Sequence, residues 1–219
     1  MRKLPKKDQR AIARWTFVLS LIFTQFVVYD DLAAQLPANS FPEYYDQETF
    51  EPMLDSLREL YGKKVSYKNK KGLELATLLA ISHYPELQQR KVKVIIKNVK
   101  GAPVEASFSP FNFIKFRKGK IYKVIIQENS FMERLPLNQQ VAAIGHEMAH
   151  FIQYERRGFM GTLFTLLGYV TSDKKRYRFE KAADKIAMDH GLGRQMLDFA
   201  FYTSDQEIKA YMDEKGYEY

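Results

Sequence analysis

The repeat of apolar residues changes period twice along the chain, and this restricts the fold more than any other feature. Phe50 to Tyr61 (FEPMLDSLRELY) and Leu73 to Tyr84 (LELATLLAISHY) carry apolar residues at helical spacing, ended by Gly62 and Pro85 respectively. Four short runs rich in β-branched and aromatic residues follow: Lys91 to Val99, Val104 to Phe108, Asn112 to Phe116 and Lys120 to Gln127. Turn signals at Gly101 and Pro103, at Pro110 and at Arg117 to Lys120 separate them. The helical period returns at Asn138, with Leu137 placed to staple the helix start, and a last helical region runs from about Arg176 to His190 before HGLG breaks it. Helices, then strands, then helices is an α+β order. The expected architecture is a small twisted, mostly antiparallel sheet of meandering strands, one long helix beside it and a C-terminal helical part.

The first 34 residues stand apart from this pattern. MRKLPKKDQRAIAR is basic, WTFVLSLIFTQFVVY is almost unbroken apolar sequence, and DDLAAQ offers small residues after it. Charged, then apolar, then cleavable is the order of an export signal. As a helix, Trp15 to Tyr29 would reach about 22 Å, short of the roughly 30 Å hydrocarbon core. An export signal is therefore expected ahead of an N-terminal membrane anchor, with cleavage after Ala34 and a periplasmic or secreted destination. Residues 35–219 are then one domain, introduced by an extended lead-in from Gln35 to Gln47.

Composition narrows the function classes. The chain has no cysteine, which excludes a disulfide framework, a thiol nucleophile and thiolate metal sites. Its net charge of +8 is spread over several segments, and the first 34 residues hold six Lys/Arg against three Asp. No nucleic-acid-binding motif accompanies the charge, so a solvated basic surface is expected and nucleic acid is not a partner. An anionic membrane surface remains a candidate contact. Nothing in the sequence specifies an oligomeric state.

Two of the four histidines lie in AAIGHEMAHFIQYE, Ala142 to Glu155. Four residues apart on a helix, His146 and His150 stack on one face with Glu147 beside them. Two imidazoles can then reach one ion, and the carboxylate can reach a water on it. Val141, Ile144, Met148, Phe151 and Ile152 gather on the opposite side, which argues that the histidines face away from the apolar core.

A zinc ion bound for catalysis takes three protein ligands. Cysteine is absent, and Gln153 and Arg156 stand where a metzincin would need glycine and a third histidine, so a later carboxylate remains. RFEKAADKIAMDHG supplies two, Glu180 and Asp184, again four apart on an expected helix. One can bind metal while the other, a turn away, accepts from a ligand imidazole; Glu180 is taken as the ligand. Alone, the pair would read as solvated helix acids facing Lys181 or Lys185.

HExxH followed by ExxxD resembles the gluzincin metallopeptidases, a clan that includes thermolysin-like and CAAX-prenyl-protease-like enzymes. The resemblance runs from Lys120 to about Gly191, a third of the chain. It implies a zincin-like fold with an active-site helix, Zn2+ as cofactor, and a peptide or protein substrate. His146, His150 and Glu180 would be the zinc ligands, Glu147 the general base, and Asp184 the partner of His146. It also implies that the strand Lys120 to Gln127 is an edge to which an extended substrate adds. The expected activity is zinc-dependent peptide-bond hydrolysis; the alternative is an exported, catalytically inactive zinc- or peptide-binding module.

Three other features need a place. GFMGTLFTLLGYV, Gly158 to Val170, is apolar but too short to span a bilayer; a lid, a lipid-touching loop and a helix packed on the core all fit, the last being the commonest case. His190, Tyr177 and Tyr169 are candidate oxyanion stabilisers, although His190 reads first as a last-turn residue facing free carbonyls. His83, just before Tyr84 and Pro85, reads as structural.

Overall fold

The computed structural model describes residues 41–68, 73–88, 90–98, 102–108, 120–199 and 201–216. The expected export segment, the lead-in before Phe41 and the expected strand at Asn112 to Phe116 lie outside the described residues.

The chain enters through α1 (Gln47–Phe50), capped by Asp46, whose side chain accepts from Thr49 N–H at 2.8 Å. A 3₁₀ turn over Glu51–Met53, with Pro52 at its start, separates α1 from α2 (Leu54–Tyr61), where the sequence predicts a single helix. Another tight turn leads into β1 (Val65–Lys68), a strand not expected from the sequence: its residues alternate, but four of them are too few to stand out as a strand. Next comes α3 (Glu74–Ser82), buried over nearly its whole length. β2 (Lys91–Lys97), β3 (Val104–Phe108) and β4 (Ile121–Gln127) follow.

The strand order is β1-β2-β4-β3. β1 pairs parallel with β2, and β2 parallel with β4; only β3 and β4 are antiparallel. The sheet is therefore mostly parallel, which corrects the expected antiparallel meander. Residue composition marks strands but not their direction, which the connections fix. α3 is a helical crossover from β1 to β2, and such a connection returns the chain parallel. Val92 pairs with Tyr122 and Val94 with Val124, while Ala106 pairs with Val124 from the other side. β4 is thus paired on both flanks, and among the described residues β3 is the free edge on its side. The strand expected to receive a substrate is interior.

α4 (Leu137–Thr171) runs on from a 3₁₀ turn at Phe131–Arg134 and breaks at Gly158, whose φ of 63° and ψ of −172° belong to a region that suits glycine alone. Its N-terminal half packs against α3, β3, β4 and the following α5 (Asp173–Asp189), so it is buried on every side from Val141 to Tyr154. Gly145 permits the closest approach: a Cβ there would lie 2.3 Å from Leu192 Cδ1, and Tyr84 Oη donates to its carbonyl at 2.6 Å. α6 (Gly193–Leu197) and α7 (Asp205–Lys215) complete the described chain, α7 beginning with a capping box between Ser204 and Glu207. α+β, as expected, describes the whole.

Residues 41–46 act as a strap away from the cleft. Phe41 stacks on His83 at 3.8 Å, Tyr45 N–H donates to Asn138 Oδ1 at 3.0 Å, and Gln195 Nε2 donates to Pro42 O at 3.0 Å.

A buried ion cluster ties α4 to the sheet. Arg90, just before β2, donates from Nε and Nη2 to the two oxygens of Glu155 at 2.9 and 3.2 Å; Tyr122 Oη donates to Glu155 at 2.5 Å, and Lys120 Nζ stands 3.6 Å away. Burial raises the Glu155 carboxyl, but the hydrogen bonds from Arg90 and Tyr122 and the Lys120 charge outweigh it and leave its pKa lowered.

Candidate metal centre

The expected site residues come together. α4 carries His146, Glu147 and His150, and α5, which turns back beside it, carries Glu180 and Asp184. Glu180 Oε2 lies 3.2 Å from His146 Nε2 and 3.1 Å from His150 Nε2. Donor atoms of His146, Glu147 and His150 lie within 4.8 Å of one another. All five side chains are buried. The histidines do lie away from the apolar stripe, as expected, but β3, α5 and Phe199, Phe201 and Tyr202 cover that side too, so from Val141 to Tyr154 the helix has no solvated face.

The other ring nitrogens are held as well. His146 Nδ1 stands 2.8 Å from Asp184 Oδ1, and Asp184 Oδ2 accepts from Thr203 N–H at 2.7 Å and Thr203 Oγ1 at 2.9 Å. Gln153 Nε2 donates to Phe179 O at 2.9 Å, which turns its Oε1 toward His150 Nδ1, 2.9 Å away. That acceptor suits a proton on Nδ1, the tautomer in which His150 Nε2 can serve as a metal ligand. The His150 ring is stacked on Phe179, with centroids 4.9 Å apart.

These residues fit a metal. Three donors about 2.0–2.1 Å from a tetrahedral ion would stand about 3.3–3.4 Å apart, close to the Glu180-to-imidazole distances. The charge balance fits too: three buried carboxylates face two imidazoles. Although burial alone would push His146 down, the Asp184 and Glu180 carboxylates that accept from its ring and the charge of Glu147 raise it to about 10. Burial raises Glu180, but the two imidazoles hold its carboxyl well below the usual range, and the Tyr169 hydroxyl donates to it. A divalent cation neutralises the same excess of negative charge.

Glu147 has a different environment. Burial is the main cause of its raised pKa and Glu180 adds to it, while His150 and His146 pull it down. It also accepts from the backbone N–H of Ala106 in β3. Gln127 N–H donates to Pro103 O at 2.9 Å, so in this antiparallel pair Val104, Ala106 and Phe108 turn their backbone groups away from β4. Val104 and Ala106 wall a cleft of about 530 Å³ together with the two histidines, Glu147 and Glu180. Its remaining walls are largely aromatic, with Phe199, Phe201 and Tyr202 on one segment and Tyr169 from the far half of α4.

Other sequence candidates fall elsewhere. His190 caps α5, its ring hydrogen-bonding Ile186 O at 2.7 Å and facing Glu86 at 3.2 Å; His83 is buried between Tyr45 Oη and His190 O, 2.8 Å from each. Tyr177 is exposed and meets Tyr202 edge-on. Sequence reasoning missed Gln153, Thr203 and Ala106. Gln153 was within reach, three residues after His150 on the same helix; Thr203, in a loop, gave no signal.

Comparison with protein-family models, with curated proteins and with solved structures finds no match to this chain. The functional reading therefore rests on the geometry.

Proposed function

We propose that the chain is a zinc-dependent metallopeptidase of gluzincin type. The observation that carries the reading is the convergence of two imidazole Nε2 atoms on one carboxylate oxygen, with an acceptor oxygen within 2.9 Å of each Nδ1 and a further carboxylate in the same cleft. His146, His150 and Glu180 would hold the ion. Zinc bound there would polarise a scissile carbonyl and acidify a water.

The chain's own residues supply the rest. Glu147, its pKa raised by burial, is suited to take a proton from the attacking water and return it to the leaving amine. The outward backbone groups of Val104 and the outward carbonyl of Ala106 offer an edge to which an extended peptide can add. The aromatic walls of the cleft favour apolar side chains next to the scissile bond. Two imidazoles and one carboxylate also suit iron(II); Glu147 beside the donors favours hydrolysis.

The test is metal content of the purified full chain by elemental mass spectrometry, followed by hydrolysis of an unstructured protein. About one zinc per chain, with cleavage abolished by Glu147→Gln, is expected. A folded chain that holds no zinc after reconstitution overturns the reading. Zinc without cleavage of any unstructured protein would leave the inactive binding module.

A further inference from the structure

The half of α4 beyond Gly158 is amphipathic in the inverted sense. Its small residues turn inward: Thr162 and Gly168 are buried, and a Cβ on Gly168 would lie 2.8 Å from Lys175 Cδ. Its large apolar residues turn outward. Met160, Leu163, Phe164, Leu167 and Val170 follow i, i+3, i+4, i+7, i+10, and their exposure runs from 40% at Leu163 to 76% at Val170. The commonest expectation for this segment, a helix packed on the core, fails for this face. A contiguous apolar stripe of this kind marks an interaction surface.

The charge around the stripe indicates what covers it. Arg156 and Arg157 precede it, and Lys174, Lys175, Arg176 and Arg178 follow it, all exposed; Asp173 is the single carboxylate between Arg156 and Arg178. Both ends of the helix are thus basic. A second copy docking through the same stripe would bring basic ends against basic ends. An acidic surface with an apolar interior answers both features, and that is the chemistry of an anionic bilayer. The 13 residues from 159 to 171 reach roughly 20 Å, too short to cross the hydrocarbon. Among the described residues no helix is long and apolar enough to span a membrane.

We propose that the helix from Phe159 to Thr171 lies in the plane of an anionic lipid surface, its apolar stripe in the acyl boundary and the flanking cations among the headgroups. Leu166 and Tyr169 on the same helix wall the candidate cleft, so docking sets that wall against the lipid. This placement does not depend on the chemistry performed in the cleft.

The absence of cysteine makes the test clean, because one introduced thiol carries a unique label. Spin labels at Phe164→Cys and Leu167→Cys in the full chain are compared with one at Lys209→Cys, on the exposed side of α7. On phosphatidylserine-containing vesicles, the labels at 164 and 167 should gain accessibility to oxygen and lose it to a water-soluble nickel chelate, while that at 209 stays aqueous. Replacing Lys174, Lys175 and Arg178 by glutamate should lower the vesicle-bound fraction of those labels at least about tenfold. Labels at 164 and 167 that remain open to nickel on vesicles overturn the proposal, even if another segment holds the chain there. Spin–spin broadening in vesicle-free solution overturns it in favour of a second copy. Unchanged far-ultraviolet circular dichroism shows that each variant is folded.

Discussion

Asp184 joins two parts of the chain: its Oδ1 stands 2.8 Å from His146 Nδ1, and its Oδ2 is held by both the backbone and the hydroxyl of Thr203. A carboxylate so anchored fixes the ring orientation and makes the opposite nitrogen a better donor. Asp184→Asn should therefore weaken zinc binding about 10- to 100-fold without abolishing it. Glu180→Ala, which removes a donor outright, should weaken it further. Competition with a chromophoric chelator measures both; an Asp184 variant that binds zinc like the wild type would mean that the contact is only structural.

In the proposed function Glu147 moves a proton and does not hold the ion. Glu147→Gln should keep one zinc per chain and lose turnover by about 10²- to 10⁴-fold. Paired metal analysis and a peptide cleavage assay decide it. Loss of the metal together with activity would make Glu147 a ligand.

The five site residues were legible because helical spacing fixes which side chains share a face: His146 with His150, and Glu180 with Asp184. The two helices still had to be brought together, and no local pattern says that α5 turns back beside α4. The strands were legible at β2, β3 and β4, but not their directions. β-branching marks an extended segment, whereas parallel pairing follows from α3 crossing between β1 and β2. β1, with four residues, is too short to show a period. The exposed face of α4 misled for a related reason: an apolar run gives no sign of which way its large residues point.

Gly145 precedes the first ligand and leaves room for Leu192 of the segment after α5. Gly145→Ala would put a methyl 2.3 Å from Leu192 Cδ1, so the fully buried Leu192 side chain must repack or α4 and that segment must separate. The expected cost is about 1–3 kcal/mol from overpacking, with weaker zinc binding as α5 shifts its ligands. Gly62→Ala, where the added carbon meets Arg58 Cβ at an ordinary 3.5 Å, should leave stability within about 0.5 kcal/mol of wild type. Urea unfolding of the two variants, with and without metal, separates the effects. Equal midpoints for both would show that the Leu192 contact yields freely.

The contribution of His83 to stability should fall on mild acidification. Burial drives its pKa down to about 3, and its two partners suit the neutral ring: Nδ1–H donates to His190 O while Nε2 accepts from Tyr45 Oη. The unfolded chain takes up a proton there near pH 6.5, and the folded chain not until about pH 3. The unfolded state therefore binds more protons between those values, and stability drops as pH falls, by up to about 1.4 kcal/mol per pH unit from this group. Glu155 acts lower on the scale. Its pKa is depressed from 4.5 in the fold, so the stability it contributes is complete above that value and is lost as pH falls through its folded pKa. Urea midpoints at pH 7.5, 6.5 and 5.5 are compared between the wild type and His83→Gln, because Glu155 is ionised in both states there and His146, raised to about 10 and titrating in the opposite sense, is common to both proteins. His83→Gln, which can keep one donor and one acceptor but carries no titrating group, should lose less stability, or gain more, than the wild type as pH falls over that interval. An unchanged slope in this variant would assign the acid sensitivity to other groups, with the imidazoles of the metal centre the first to examine.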